Sequence, residues 1–167
     1  MIAWQIGEVV IHRVLEFEGP LIPPHILLPD ATDESMDCHR SWLEPDLLDP
    51  GTGDLILAFH SLIVRTPRHT ILVDTCGGND KHRPQKPRYH LKNHPYLANL
   101  EAAGFRPDDI DVVLCTHMHV DHVGWNTRLL DGRWVPTFPC ARYLFARDEF
   151  AFWEAHYRTE AFTDDPY

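Results

Sequence analysis

No apolar run in this sequence approaches the roughly 20 residues needed to span a bilayer, so a membrane helix is not expected. The opening stretch, "MIAWQIGEVVIHRVLEF", lacks the basic start, unbroken apolar core and small-residue cleavage site of a secretory signal. A cytoplasmic protein with no membrane partner is therefore expected. Cysteine is sparse: Cys38, Cys76, Cys115 and Cys140 are scattered with no CxxC pair, which argues for free thiols over a disulfide framework. Basic residues are outnumbered 15 to 25, and the formal net charge of -10 argues against bulk attraction to nucleic acid or anionic lipid. There is no internal repeat and no low-complexity tract. A hydrophobic fraction of 44% with 24% charged residues excludes disorder of the whole chain. At 167 residues there is room for one domain with a real core, and too little for two.

Residues 6–18 mix alternation with β-branched side chains and read as a strand or hairpin arm. Residues 19–53 are dense in proline and turn chemistry and read as an irregular surface segment, although Leu21, Ile22, Ile26, Leu27 and Leu28 need cover. "DLILAFHSLIVRT" and "HTILVDT", joined by "PR", read as an antiparallel hairpin. A loop over 76–93 follows, then a helix capped by Asn93, with Pro95 in its first turn, Leu97 and Leu100 on one face, and Gly104 at its end. A strand at 112–115 after that helix suggests a βαβ-like crossover. A hairpin about Asp131-Gly132, a short strand at 141–146 and a helix with Phe150, Trp153 and Tyr157 on one side complete the pass. The class expected is α/β with mixed strand directions.

The chemistry concentrates in "VVLCTHMHVDHVGWN", residues 112–126. His117 and His119 are two apart, so in an extended segment both imidazoles project to one side. Asp121 and His122 follow on the next bend and can address the same ion or a neighbouring one. Imidazole with carboxylate suits zinc, and also manganese or iron. Two such ions about 3.5–4 Å apart would clamp a bridging hydroxide and polarise a carbonyl or phosphoryl oxygen. A lone histidine would read as a surface residue. Four ligand-type side chains in six positions behind a buried strand do not.

"THMHVDHVG" carries the HxHxDH pattern, and "TILVDTCGGND" is a strand ending in Asp before a Gly-rich loop. Together they resemble the metallo-β-lactamase superfamily, from about Gly7 to Trp153. The resemblance implies a four-layer αββα sandwich of two similar halves, a mixed sheet flanked by helices. It implies that His117 and His119 bind a first zinc, and Asp121 and His122 a second. Asp121 would also hold the attacking hydroxide and shuttle its proton, and Asp74 would orient a ligand histidine by hydrogen bonding. Asp121-His122 departs from the true β-lactamases of the superfamily, which usually lack that histidine. Trp125 and Asn126 stand where glyoxalase II-like thioesterases usually show a second glycine. The pattern looks most like the lactonase and organophosphate-hydrolase branch, implying cleavage of a small ester, lactone or phosphotriester by a metal-held hydroxide.

In that family the later ligands, a histidine, a bridging aspartate and a final histidine, come from the second half. Here the only histidine after the motif is His156, in an expected amphipathic helix where it matches the later ligand poorly. Asp164 and Asp165 follow no strand, and no family role is carried onto them. The chain is thus expected to be the N-terminal part of a hydrolase, with two ligands per metal instead of three. The alternative is a truncated or degenerate domain with weak metal binding and no catalysis of its own. Half a sandwich exposes an apolar sheet face, which favours self-association, including a homodimer.

Other polar residues have plainer readings. His60 is expected to be structural. His82, His90 and His94, with Lys81, Arg83, Lys86 and Arg88, make the 76–93 loop basic; it can attract an anionic substrate or simply be solvated. Trp125 can line a pocket or pack beneath the motif. Nucleic-acid processing, also found in this superfamily, is the reading least supported by the charge balance.

Overall fold

The computed structural model describes residues 2–157; the tail from 158 on, with Asp164 and Asp165, lies outside the described residues. In chain order the elements are β1 (Ala3–Ile6), β2 (Val9–Ile22), α1 (Pro24–Leu27), α2 (Asp33–Leu43), β3 (Leu55–Arg65), β4 (Thr70–Val73), α3 (Tyr96–Ala102), β5 (Val112–Leu114), β6 (Thr127–Leu130), β7 (Arg133–Pro136), β8 (Arg142–Leu144) and α4 (Arg147–Tyr157). Six strands form one mixed sheet in the order β1-β2-β3-β4-β5-β8, and β6 and β7 form a separate ribbon. By its contacts the chain divides into two compact units, one of Met1–Glu16 with Phe59–Tyr167, the other of Phe17–Ala58.

In the first unit, β1 pairs antiparallel with β2 through a tight turn at Gly7, whose φ of 60° suits a residue without Cβ. The strand expected over 6–18 is thus the second arm of a hairpin. Along β2 the inward phase carries Val14 and Glu16, both buried. β3 and β4 form the expected antiparallel hairpin, and Thr66 closes its turn by accepting the N–H groups of Arg68 and His69. β4 and β5 are parallel with α3 between them, which is the expected crossover, and β8 extends the parallel set. The β6–β7 ribbon turns at Asp131 and Gly132, both at positive φ (48° and 74°), as a two-residue hairpin turn requires.

The cap of α3 departs from expectation. Pro95 occupies the cap position with no side-chain bond, and Asn93 lies two residues outside it. The helix is held by burial instead. Tyr96 and Leu100 are fully covered, Tyr96 Oη and Ser61 Oγ share a 2.6 Å hydrogen bond, and Asn99 Nδ2 donates to Leu15 O at 2.8 Å. Gly104 ends the helix at φ 88° as foreseen. Ile63, Leu72, Ile110, Val113 and Phe138 join Tyr96 and Leu100 in the core, each buried side chain worth about 1.5–3 kcal/mol of transfer free energy. Leu114 and Leu144, paired neighbours on β5 and β8, are 39% and 42% exposed. The sheet face carrying these two side chains is open.

The second unit corrects the reading of 19–53 as irregular. β2 continues to Ile22, and two helices follow. Proline density hid a start signal: Thr32 Oγ1 accepts the Ser35 N–H at 3.2 Å, Ser35 Oγ accepts the Thr32 N–H at 3.0 Å, and Asp33 and Glu34 occupy the first turn of α2. Ile22 and Leu48 are buried, whereas Ile26, Leu27 and Leu28 stay 41–51% exposed. Among the described residues no helix is long and apolar enough to cross a membrane.

Candidate metal centre

The motif lies beyond the carboxyl ends of the parallel strands β4 and β5, where open α/β sheets place their crevices. Two loops leave those ends and pair with each other. Asp74 N–H donates to Leu114 O (2.9 Å), Thr75 N–H to His122 O (2.8 Å), Trp125 N–H to Thr75 O (2.8 Å) and Gly124 N–H to Cys76 O (2.7 Å). These backbone bonds lock Asp74 to the end of β5, and Thr75 and Cys76 to residues 122–125. The crossing is so close that a Cβ on Gly124 would lie 2.0 Å from the carbonyl carbon and oxygen of Gly77. The glycine that follows HxHxDH is therefore needed for loop-on-loop contact.

Asp74 sits at φ 57°, a left-handed conformation that short polar side chains tolerate. Its carboxylate accepts three bonds from Thr116: N–H to Oδ1 at 2.8 Å, and Oγ1–H shared between Oδ1 (3.0 Å) and Oδ2 (2.8 Å). Oδ2 also lies 2.9 Å from His122 Nδ1, an ion-pair contact and not an in-line hydrogen bond. Burial works to raise the Asp74 pKa, but His122 and Thr116 together outweigh it and hold the carboxyl below its usual range. His122 is correspondingly raised, first by Asp74 and then, against burial, by Asp121 and Asp74 charge.

The other motif side chains gather above this pair. The His117 ring centroid is 3.9 Å from that of His122 and 4.5 Å from that of His119. His117 Nδ1 shares a 3.1 Å hydrogen bond with Thr116 Oγ1. Burial first, then the neighbouring His122 and His119, lowers the His117 pKa and favours its neutral form. Asp121 Oδ2 stands 3.7 Å from His122 Nε2. All four motif residues and Asp74 are thus brought together. Among the described residues, however, no group of three or more His, Cys, Asp or Glu side chains stands arranged as a finished metal cage. The donor chemistry, three imidazoles and a carboxylate, fits a borderline divalent cation.

Sequence reasoning missed the supports. Glu16 is 5% exposed, and its carboxylate accepts Gly77 N–H (2.9 Å), Gly78 N–H (2.8 Å) and Trp125 Nε1–H (2.6 Å). A charged residue in the inward phase of β2 was the available signal. Trp125 packs beneath the motif, stacked on Tyr96 at 5.1 Å, which decides between its two readings. The basic loop is not simply solvated. Arg83 Nη1 donates to Gly77 O at 2.8 Å, and Lys81 Nζ donates to Thr127 Oγ1 at 2.7 Å and lies 3.7 Å above the Trp134 ring. Burial, aided by Arg83, lowers the Lys81 pKa to about 8. His60 is exposed at the surface of β3. His156 contacts the carbonyl oxygen of Phe152 at 2.8 Å on its own helix.

The mixed sheet thus carries a histidine- and aspartate-rich loop at its carboxyl edge. The family model of the metallo-beta-lactamase superfamily matches residues 60–165, and the chain belongs to that superfamily. The hydrolase AbOPH of the β-lactamase superfamily is similar at 27% identity and TM-score 0.66, over 90% of this chain and 46% of that one. A probable metal-dependent hydrolase from Staphylococcus aureus has 21% identity and TM-score 0.71, over 98% and 56%. AidC, a dizinc quorum-quenching lactonase, has 21% identity and TM-score 0.66, over 91% and 46%. The chain therefore spans about half the length of these structures. No curated protein matches it.

Proposed function

We propose that this chain carries half of the metal centre of a hydrolase acting on a small ester, lactone or phosphotriester. The convergence of His117, His119 and His122, with Asp121 beside them and Asp74 bracing His122, is the observation that carries the reading. His117 and His119 would hold one divalent cation, and Asp121 and His122 a second, with zinc the best match to these donors. When bound, such ions polarise the scissile carbonyl or phosphoryl oxygen and acidify water at neutral pH. Asp74 and Thr116 occupy Nδ1 of His122 and of His117, which leaves Nε2 of each ring as the nitrogen free to ligate. Asp121, whose Oδ2 lies 3.7 Å from His122 Nε2, would accept the proton of the attacking water. Likeness to the hydrolase AbOPH supports hydrolysis, and likeness of fold to the dizinc lactonase AidC supports the lactone among these substrates.

The second reading is weak metal binding without catalysis by these 167 residues, favoured by the lack of a finished cage among the described residues. Metal analysis after dialysis, with hydrolysis of a simple lactone, separates the two. Two equivalents of tightly held zinc with turnover, both lost on His117→Ala or Asp121→Ala, support the first. Near-zero metal supports the second. Turnover unchanged in those variants sinks the site assignment itself.

A further inference from the structure

Glu149 lies in the first turn of α4, outside every motif, yet it reaches the centre of the histidine loop. Its Oε1 accepts the backbone N–H of Met118 at 2.9 Å, across 31 positions of sequence. The same oxygen accepts Trp153 Nε1–H at 2.9 Å. Met118 is the residue between His117 and His119, so its peptide orientation sets how those two rings face each other. They meet at 4.5 Å with an interplanar angle of 76°. Trp153, aimed by the second bond, presents an edge-on ring contact to His119 at 5.9 Å and 82°. One carboxylate oxygen thus fixes both the backbone between the two histidines and the aromatic wall beside the second.

A charged acceptor suits this task better than a neutral one, because hydrogen bonds to an ionised oxygen are roughly twice as strong. The Met118 amide, then Trp153, hold the Glu149 carboxyl below its usual range, so the charged form is the one in place near neutrality. Nothing in the fold of α4 itself calls for the bond.

We propose that Glu149 is a positioning residue, which tethers α4 to the Met118 amide and sets the geometry at which His117 and His119 present their rings to a shared divalent cation. The cation part rests on the metal reading above; the ring-geometry part stands without it.

The test uses the whole chain with Glu149→Ala and Glu149→Gln, the latter keeping an acceptor oxygen at the same reach. In metal-free protein, NMR reads the through-space contact between the His117 and His119 ring protons and the exchange protection of the Met118 amide. The native chain and Glu149→Gln should keep both, and Glu149→Ala should lose both. Cobalt affinity, measured by chelator competition, should fall about 10- to 100-fold in Glu149→Ala and by less in Glu149→Gln. Should alanine reduce the yield of folded protein, Glu149→Met, which keeps bulk and helix propensity without an oxygen, carries the same expectation. Ring contact and protection that persist in Glu149→Ala overturn the proposal, as does native cobalt affinity in a variant whose ring contact is gone. A native chain that binds no cobalt, but whose ring contact still depends on Glu149, removes the metal reading and leaves the tether standing.

Discussion

Asp74 Oδ2 lies 2.9 Å from His122 Nδ1, joining the end of β4 to a motif 48 residues later. Both groups are largely covered, at 15% and 28% side-chain exposure, and each favours the charged form of the other. The contact couples the orientation of a candidate ligand to the stability of the loop pair beneath it.

Asp74→Asn tests that coupling. Asparagine tolerates the positive φ and keeps an acceptor for Thr116, so the backbone should persist. In metal-free protein the His122 pKa, followed by NMR titration, should fall. The lowered Asp74 adds stability above its unfolded value near 3.9, lost as pH falls through the folded one. The raised His122 adds stability below its unfolded value near 6.5, lost as pH rises through the folded one. The stability gap to the variant should therefore be widest between about pH 4 and 6.5, at about 1–3 kcal/mol, and narrow on both sides. A gap independent of pH contradicts the pairing.

Gly124→Ala should be among the most damaging single-methyl additions in the chain. Its Cβ meets backbone at 2.0 Å, and Gly78, at φ 76°, meets Gly124 in turn at 2.6 Å, so no side chain can yield. A loss of about 3 kcal/mol or more is expected in denaturant unfolding. Gly7→Ala, at φ 60° with nothing within 4 Å, should cost only about 1–2 kcal/mol. Gly124 itself is not at positive φ, so equal costs would contradict the loop crossing as what selects glycine there.

Glu16→Gln turns an all-acceptor group into one that points an amide at N–H donors. Gly77, Gly78 and Trp125 all donate to Glu16, so at least one pairing is lost in a buried place. Unfolding measurements should show a loss of about 2–4 kcal/mol. Tryptophan emission should shift as the indole loses its partner. Neither change would be seen if the carboxylate were only a surface acceptor.

Cysteine labelling checks the packing without any metal. Cys38 and Cys140 are exposed, while Cys76 and Cys115 are buried. Burial pushes the Cys115 thiol up to about 11 and the Cys76 thiol well above its usual value. At pH 8 a disulfide reagent should titrate two thiols quickly in the native chain and all four in denaturant. Fast labelling of four in the native chain would contradict the buried core beside the motif.

The sequence by itself determined the βαβ crossover and the hairpins. Hydrophobic period, Asp131-Gly132 and Gly104 are local signals, and local physics obeys them. It also determined which side chains can be ligands, because the HxHxDH spacing needs only short-range geometry to bring His117, His119, Asp121 and His122 near one another. Tertiary structure alone decided what steadies them. Glu16 and Glu149 reach their partners across 61 or 62 and 31 positions respectively. Neither spacing has any period that a linear reading could detect. The helices within 19–53 were hidden for a different reason: proline density outweighed the local Thr32–Ser35 cap. Contacts that close long loops gain their energy only after the rest of the chain has brought the partners together, so a local pattern cannot announce them.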